Sequence, residues 1–139
     1  MEITAVALQT VEQGQNVLFT DTVVGGRPSI VHRSGSGLLT LRGLTNQCRA
    51  LYKVSFGGNI AIPTGGTVEA ISLAISVDGE PLGSTLMIET PAAVEEFSNI
   101  FSAVFLSVPA GCCVTIGVRN TSDQAILVQN ANLIAERVA

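Results

Sequence analysis

The chain has 139 residues, of which 47% are apolar and only 13% are charged, and its formal net charge is −4 at pH 7. Soluble domains usually carry about a quarter charged residues, so this composition excludes a disordered tail, a coiled coil and a basic nucleic-acid-binding arm. The apolar runs are too short to cross a bilayer, and clustered Lys and Arg are scarce. We therefore expect no membrane insertion and no nucleic-acid partner.

The first predicted strands are short and show apolar residues at every second position. Leu39 and Leu41 form one such pattern, and Tyr52, Val54 and Phe56 form another. Glycine, proline, serine and asparagine cluster between the predicted strands, and such clusters are typical of turns. The predicted turns are Gly25–Pro28, Ser34–Gly37, Gly57–Asn59, Pro63–Gly66 and Asn120–Asp123.

The clearest local pattern lies at residues 71–77, where Ile, Leu, Ile and Val alternate with Ser, Ala and Ser. This alternation predicts a strand with one strongly apolar face. Asp78-Gly79 follows, a pair that suits the positive φ values of a tight hairpin turn. We expect a returning strand from about Gly83 to Pro91, and residues 91–96 then offer either one helical turn or a loop.

The segment from Phe97 to Val108 is apolar on both faces of the predicted strand. One face carries Ile100 and Val108, and the other carries three phenylalanines, so one face remains exposed in a two-layer sandwich. An exposed row of phenylalanines favours packing against another subunit. Residues 124–135 show the same property, so we expect an obligate oligomer whose interface includes Phe97, Phe101, Phe105, Leu127 and Leu133.

The charges are unevenly distributed along the chain. Five of the seven basic residues lie between Arg27 and Lys53, and the segment from Glu69 to Glu96 holds six acids and no base. One interpretation is that both groups are solvated surface residues. The other is that they meet across a boundary between subunits or particles.

The cysteine inventory gives no disulfide framework and no zinc motif. Cys48, Cys112 and Cys113 are odd in number, form no C-x-x-C pair and have a single histidine, His32, as a companion in the whole chain. Neighbouring cysteines on a strand point to opposite faces, so Cys112 and Cys113 are poorly placed to bridge each other. We expect buried, structural thiols in a reducing compartment.

The inventory also argues against an enzyme. His32 has Ser34 and Ser36 nearby, but no G-x-S-x-G elbow is present, and the neighbouring carboxylates Glu95 and Glu96 have no evident partner. The glycine-rich stretches do not follow the phosphate-binding pattern, and the aspartates are too scattered for a calcium loop. We therefore expect no catalytic residues, no metal and no cofactor.

The order of these features resembles the compact ten-stranded jelly roll of the complement-head and tumour-necrosis-factor superfamily, in particular its bacterial and phage members. The resemblance covers about residues 6 to 138. Its main carriers are Gly14–Phe19, Gly37–Leu41, Ala50–Phe56, Ile71–Gly79 and Leu106–Gly111, followed by a closing strand. Relatives of this kind include tip domains of spore-surface glycoproteins and small prophage virion proteins.

The resemblance implies an all-β, two-sheet antiparallel sandwich that forms homotrimers and carries no catalytic residues. We expect residues 1–139 to form a single jelly-roll domain whose short leader, residues 1–5 (Met1, Glu2, Ile3, Thr4 and Ala5), docks on a capsid or other virion protein. The leading hypothesis is a phage virion surface protein, a capsid decoration or head fibre, assembled in the bacterial cytoplasm. The alternative is a trimeric receptor- or glycan-binding head on a virion, cell or spore surface, with Gly25–Pro28 and Ser34–Gly37 contacting the ligand.

Overall fold

The computed structural model describes residues 1–25, 29–33, 35–111 and 113–139, and these residues form two packed sheets. A single 3-10 turn, Gly83–Thr85, interrupts the β-structure of the described segments. The strands of these segments, in chain order, are β1 (Glu2–Ala5), β2 (Gln9–Val11), β3 (Asp21–Val24), β4 (Ile30–His32), β5 (Leu39–Arg42), β6 (Arg49–Ala61), β7 (Ile71–Val77), β8 (Glu80–Pro81), β9 (Met87–Glu89), β10 (Ser98–Pro109), β11 (Cys113–Asn120) and β12 (Ile126–Arg137).

The first sheet has the order β10-β6-β12-β1-β3, and β2 also pairs with β12. The second sheet has the order β4-β5-β11-β7-β8, and β9 also pairs with β7. All of these pairs are antiparallel. The expected all-β, two-sheet antiparallel sandwich is therefore confirmed.

The alternating segment forms β7 with the predicted bounds. Ile71, Leu73 and Ile75 are fully buried between the sheets. Asp78 and Gly79 have φ values of 50° and 87°, and they connect β7 to β8 as the predicted two-residue turn. The returning strand is shorter than predicted, because the 3-10 turn separates β8 from β9.

Aromatic side chains fill the centre of the core. Phe19 and Phe56 are fully buried and meet edge to face, with ring centroids 6.4 Å apart. Tyr52 is also fully buried, and its hydroxyl donates a hydrogen bond to the carbonyl oxygen of Arg42 at 2.7 Å. Because this polar group has a partner, its burial costs little free energy.

The turn predicted at Gly57–Asn59 is wrong, since these residues lie in the middle of β6. Glycine at both positions allows the neighbouring strand to approach closely. A Cβ on Gly58 would lie 3.3 Å from the Cα of Ala131, and a Cβ on Gly57 would lie 3.2 Å from Oδ1 of Asn132. Glycine inside a strand often marks such a close approach of a neighbouring strand.

The second segment whose sequence is apolar on both faces, residues 124–135, contains a β-bulge. The register of β12 against β6 shifts between Gln129 and Asn132, and Asn130 has a φ of 55°. An extra residue reverses which side of the strand faces inward. Leu133 is consequently fully buried and Leu127 nearly so in the protomer itself, and the prediction that they form a subunit interface is wrong.

Residues 1–5 are not a free leader. Glu2–Ala5 form β1, which pairs with β12 on one side and with β3 on the other. Ile3 is fully buried, and the amino group of Met1 donates to the carbonyl oxygen of Ala135 at 2.7 Å. The alternation of buried Ile3 and Ala5 with outward Glu2 and Thr4 fixes this segment in the sheet, so it cannot act as a separate docking arm.

Candidate functional site

A row of exposed aromatic side chains marks the outer face of the first sheet. Phe101 is 67% exposed and Phe105 is 60% exposed, and Phe97, just before β10, is exposed as well. The alternate residues Ile100 and Val108 point into the core. The sequence prediction that this segment presents apolar side chains on both faces is therefore confirmed for β10.

The aromatic row lies at an edge of the sandwich. β10 is the outermost strand of the first sheet and pairs with β6 alone within that sheet. Phe101 lies opposite Gly57 in this pairing, and Phe105 lies opposite Lys53. The row therefore borders both the open edge of the sheet and its outer face.

A shallow groove of about 440 Å³ runs beside Phe101 across the outer face of the first sheet. Its floor lies over Gly57 and Gly58 of β6, and Gly57, the outward-facing one of the two, carries no side chain there. Two outward residues of β1, Glu2 and Thr4, form part of the opposite wall. The complete lining is Glu2, Thr4, Val6, Ser55, Gly57, Gly58, Asn99, Phe101, Asn130, Ala131, Asn132 and Ile134. We call this concavity the glycine-floored groove.

Side-chain amides line one part of the groove and hydrogen-bond one another. Asn99 donates to Oδ1 of Asn59 at 3.2 Å, and Asn59 donates to Oδ1 of Asn130 at the same distance. Asn132 donates to a carboxylate oxygen of Glu2 at 3.1 Å. The groove thus combines an aromatic wall with an ordered polar lining.

The histidine is not paired with a nucleophile in the described structure. Nε2 of His32 lies 3.0 Å from the backbone carbonyl oxygen of Ser36, so this nitrogen carries the hydrogen. The hydroxyl oxygen of Ser36 instead accepts the backbone N–H of Leu38 at 3.0 Å. Nδ1 of His32 is buried and has no hydrogen-bond partner. Ser34 lies outside the described residues.

Metal-ligand side chains do not converge in the described segments. Residues 1–25, 29–33, 35–111 and 113–139 contain no group of three or more His, Cys, Asp or Glu that could hold a metal ion. Over the same ranges, none of the helical structure has the length and apolar character that crossing a membrane requires.

Two of the cysteines differ from the expectation of buried thiols. Cys48 and Cys113 are both exposed, since each lies near the end of the sandwich where strands connect the two sheets. The backbone carbonyl of Cys48 accepts the N–H of Ala110, which places its loop against the connection from β10 to β11. Cys112 lies outside the described residues.

Comparison with known structures identifies the fold. No family model and no curated protein sequence matches the chain. The globular domain of zebrafish complement 1qA protein is similar in structure, with a TM-score of 0.64 at 11% identity over 96% of this chain and 93% of that domain. Murine APRIL is similar with a TM-score of 0.59 at 12% identity, covering 95% of each chain. The protein therefore has the jelly-roll fold of complement heads and tumour-necrosis-factor-like domains, as the resemblance implied.

Proposed function

We propose that the protein is a homotrimeric, non-enzymatic surface component of a phage virion, of the capsid-decoration or head-fibre type, assembled in the bacterial cytoplasm. The observation that carries the oligomeric part is the exposure of Phe101 and Phe105 on the edge strand β10. The jelly-roll fold and the resemblance to virion proteins support the proposed role as a non-enzymatic virion surface component. Phe97, at the end of the same row, belongs to the proposed interface.

Exposed phenylalanines are costly in a protomer that stays alone. A phenylalanine buries roughly 150–250 Å² when fully covered, and apolar burial contributes about 25 cal/mol per Å². Covering the exposed parts of Phe101 and Phe105 would thus stabilise an assembly by on the order of 2–4 kcal/mol per side chain. Three protomers would each contribute such a pair.

In the proposed trimer, the glycine-floored groove of one protomer receives the β10 edge of the next protomer, which carries Phe101 and Phe105. It lies on the same sheet as the aromatic row, so one protomer presents both an edge and a concave face. An edge-to-face contact between different surfaces is heterologous, and it closes into a ring when the rotation between copies allows it. The resemblance sets the number of copies at three.

Light scattering after size exclusion tests the trimer, for which we expect three times the 14.4 kDa chain mass. Phe101→Asp or Phe105→Asp should release monomers, because the new charge would have to be buried without a partner. Ile88→Asp is the matched control, since Ile88 is 60% exposed but lies on β9 of the other sheet. A monomeric wild type, or equal dissociation by the control, contradicts the proposed interface.

Purified virions test the proposed location. The protein should co-sediment with phage particles, and added trimer should bind particles that lack it. Genes for capsid and portal proteins beside its own gene would support decoration, whereas tail-fibre or lysis genes would support adhesion. Absence of the protein from washed particles would contradict the virion role.

A receptor- or glycan-binding head is the second candidate, and the amide-lined groove is the observation that favours it. Asn99, Asn130 and Asn132 present hydrogen-bonding groups next to the exposed ring of Phe101. Such a pairing of a few polar groups with an aromatic surface suits a sugar. The originally expected ligand loops, Gly25–Pro28 and Ser34–Gly37, lie partly outside the described residues. If the protein binds glycans and no neighbouring protomer covers the groove, the glycan-binding hypothesis would replace the decoration hypothesis.

A further inference from the structure

Three asparagine side chains form a hydrogen-bonded row across the outer face of the first sheet. Asn99 of β10 lies opposite Asn59 of β6, and its Nδ2 donates to Oδ1 of Asn59 at 3.2 Å. Nδ2 of Asn59 donates in turn to Oδ1 of Asn130 in β12, also at 3.2 Å. Asparagine is depleted in strands, and only Asn130, with its φ of 55°, has a backbone reason for its identity. We call these three residues the asparagine row.

The asparagine row has a direction, because both of its hydrogen bonds run from β10 towards β12. Each side-chain amide offers donors on Nδ2 and an acceptor on Oδ1. Within the described part of the chain, Oδ1 of Asn99 accepts no hydrogen bond and Nδ2 of Asn130 donates none. The row therefore ends in an unused acceptor on the edge strand and in an unused donor beside the glycine-floored groove.

The register of β10 against β6 links this row to the proposed subunit contact. Phe101 lies opposite Gly57, and Asn99 lies opposite Asn59 two residues further along both strands. Residues two apart on a strand face the same side and are about 6.5–7 Å apart. A neighbouring edge that places its Phe101 above Gly57 therefore brings its Asn99 to the level of the asparagine row. A threefold axis along the strands preserves this level from copy to copy.

Covering Phe101 also removes water from Asn99, because Asn99 is its neighbour on the same face of β10. A buried amide group that loses water without gaining a partner costs free energy. The unused donor on Asn130 of one protomer matches the unused acceptor on Asn99 of the next. A slipped register would instead leave both groups buried without a partner.

We propose that the asparagine row selects the register and copy number of the assembly, and that its partner is the same row in a second copy of this chain. Nδ2 of Asn130 in each protomer donates to Oδ1 of Asn99 in the next, so that three rows close into one ring around the axis. This inference rests on the proposed trimer. Buried polar residues can specify one arrangement at a cost in stability, as a single buried asparagine does in coiled coils. The phenylalanines supply the affinity, and the asparagine row excludes other arrangements.

Disulfide trapping tests the contact between Asn130 and Asn99 directly. With the native cysteines changed to serine, the double variant Asn99→Cys with Asn130→Cys should form covalent trimers when oxidised glutathione is added. Within one protomer the two positions lie two strands apart, about 9–10 Å, whereas a disulfide joins Cα atoms within about 7 Å of each other. Neither single variant should yield a covalent trimer, nor should Asn99→Cys with Asn46→Cys, whose second site is in the exposed 43–48 loop. Absence of covalent trimers in the double variant would overturn the proposal.

Charged variants test the same contact without oxidation. Asn99→Lys should raise the dissociation constant of the trimer about tenfold or more, because its ammonium group would be buried without a partner. Adding Asn130→Asp should restore most of the association, since the carboxylate of one protomer then meets the ammonium group of the next. Aspartate, like asparagine, tolerates a positive φ, so the bulge should be kept. Adding Asn46→Asp instead gives the same net charge and should restore nothing, and equal restoration by both would overturn the proposal.

Native mass spectrometry separates this inference from the proposed function. Asn99→Leu keeps the approximate shape of the side chain but removes its polar atoms. We expect this variant to form assemblies of more than one size where the wild type forms trimers only, and Asn46→Leu should remain trimeric. A trimeric wild type with an equally uniform Asn99→Leu variant would overturn the role of the asparagine row and leave the proposed trimer intact. A monomeric wild type would overturn both.

Discussion

Phe101 lies opposite Gly57 across the β10–β6 pair, and a Cβ built on Gly57 would lie 3.7 Å from Cδ2 of the phenylalanine ring. The exposed ring thus stands directly beside a position without a side chain. Gly57 does not have a positive φ, so backbone conformation does not require glycine here. The space above it, bordered by an aromatic wall, is what distinguishes this part of the sheet.

Filling that space should weaken the trimer without unfolding the protomer. We expect Gly57→Leu to raise the dissociation constant of the trimer at least tenfold, because its side chain would occupy the groove that receives the neighbouring copy. Protomer stability should fall modestly, because a Cβ at this position lies 3.2 Å from Oδ1 of Asn132 and this amide must shift, whereas the loss of a strand glycine is itself favourable. Sedimentation over a range of concentrations measures the first effect, and thermal unfolding measures the second.

Gly83→Leu is the control for this substitution, because a Cβ on Gly83 meets nothing within 4 Å. It should leave the association unchanged. A trimer that tolerates Gly57→Leu as well as Gly83→Leu would show that the groove is not part of the interface.

Strand positions could be predicted where the period of two is uninterrupted. β7 has the predicted bounds, although Ala74 and Ser76 of its other face are buried as well, and the inward and outward faces of β10 follow the alternation in the sequence. The inward face of β12 could not be predicted from the alternation. The bulge inserts one extra residue, which shifts the inward positions by one and makes the sequence apolar on both faces. Asn130 is the one local signal, since asparagine tolerates the positive φ that the bulge requires.

The groove depends on contacts that are distant in sequence. Gly57 and Gly58 resemble a turn when they are considered alone, and only the approach of Ala131 and Asn132 explains them as strand residues. In the sequence, residues 1–5 likewise resemble a leader, because the four residues of β1 carry too little alternation to predict a strand. Its place in the sheet is decided by its two neighbours, β12 and β3.

The first strand should be essential for folding. Ile3→Ala should lower the free energy of unfolding by about 2–4 kcal/mol, because Ile3 is fully buried and the change leaves a cavity. Val6→Ala removes methyl groups from an exposed side chain just after β1 and should change it by less than about 0.5 kcal/mol. Chemical denaturation at a fixed protein concentration measures both.

Deletion of Met1–Ala5 gives a stronger form of the same prediction. It removes a strand that pairs on both sides, so we expect loss of the folded trimer, visible by circular dichroism. A truncated chain that still folds and assembles would restore the interpretation of residues 1–5 as a dispensable leader.

Exposed thiols should react in the folded protein. In a Cys112→Ser background, we expect a thiol-specific chromogenic reagent to modify Cys48 and Cys113 without denaturant. Cys48→Ser should remove one equivalent and change the free energy of unfolding by less than about 0.5 kcal/mol, as is usual for exposed positions. Reaction only after denaturation would instead support the original expectation of buried thiols.

Among the polar residues at strand ends and turns, we expect substitution of Asn120 to lower the free energy of unfolding most. It is buried, and its amide donates to the carbonyl oxygens of Val11 at 3.0 Å and Gln124 at 2.9 Å, while its Oδ1 accepts the N–H of Ser122. Asn120→Ala leaves these three groups without a partner in a buried setting, so we expect a loss of about 2–4 kcal/mol in the free energy of unfolding. Asn46→Ala, in the exposed 43–48 loop, should change it by less than about 0.5 kcal/mol. Equal stability of the two variants in urea would mean that water replaces the amide and that the turn between β11 and β12 does not depend on this side chain.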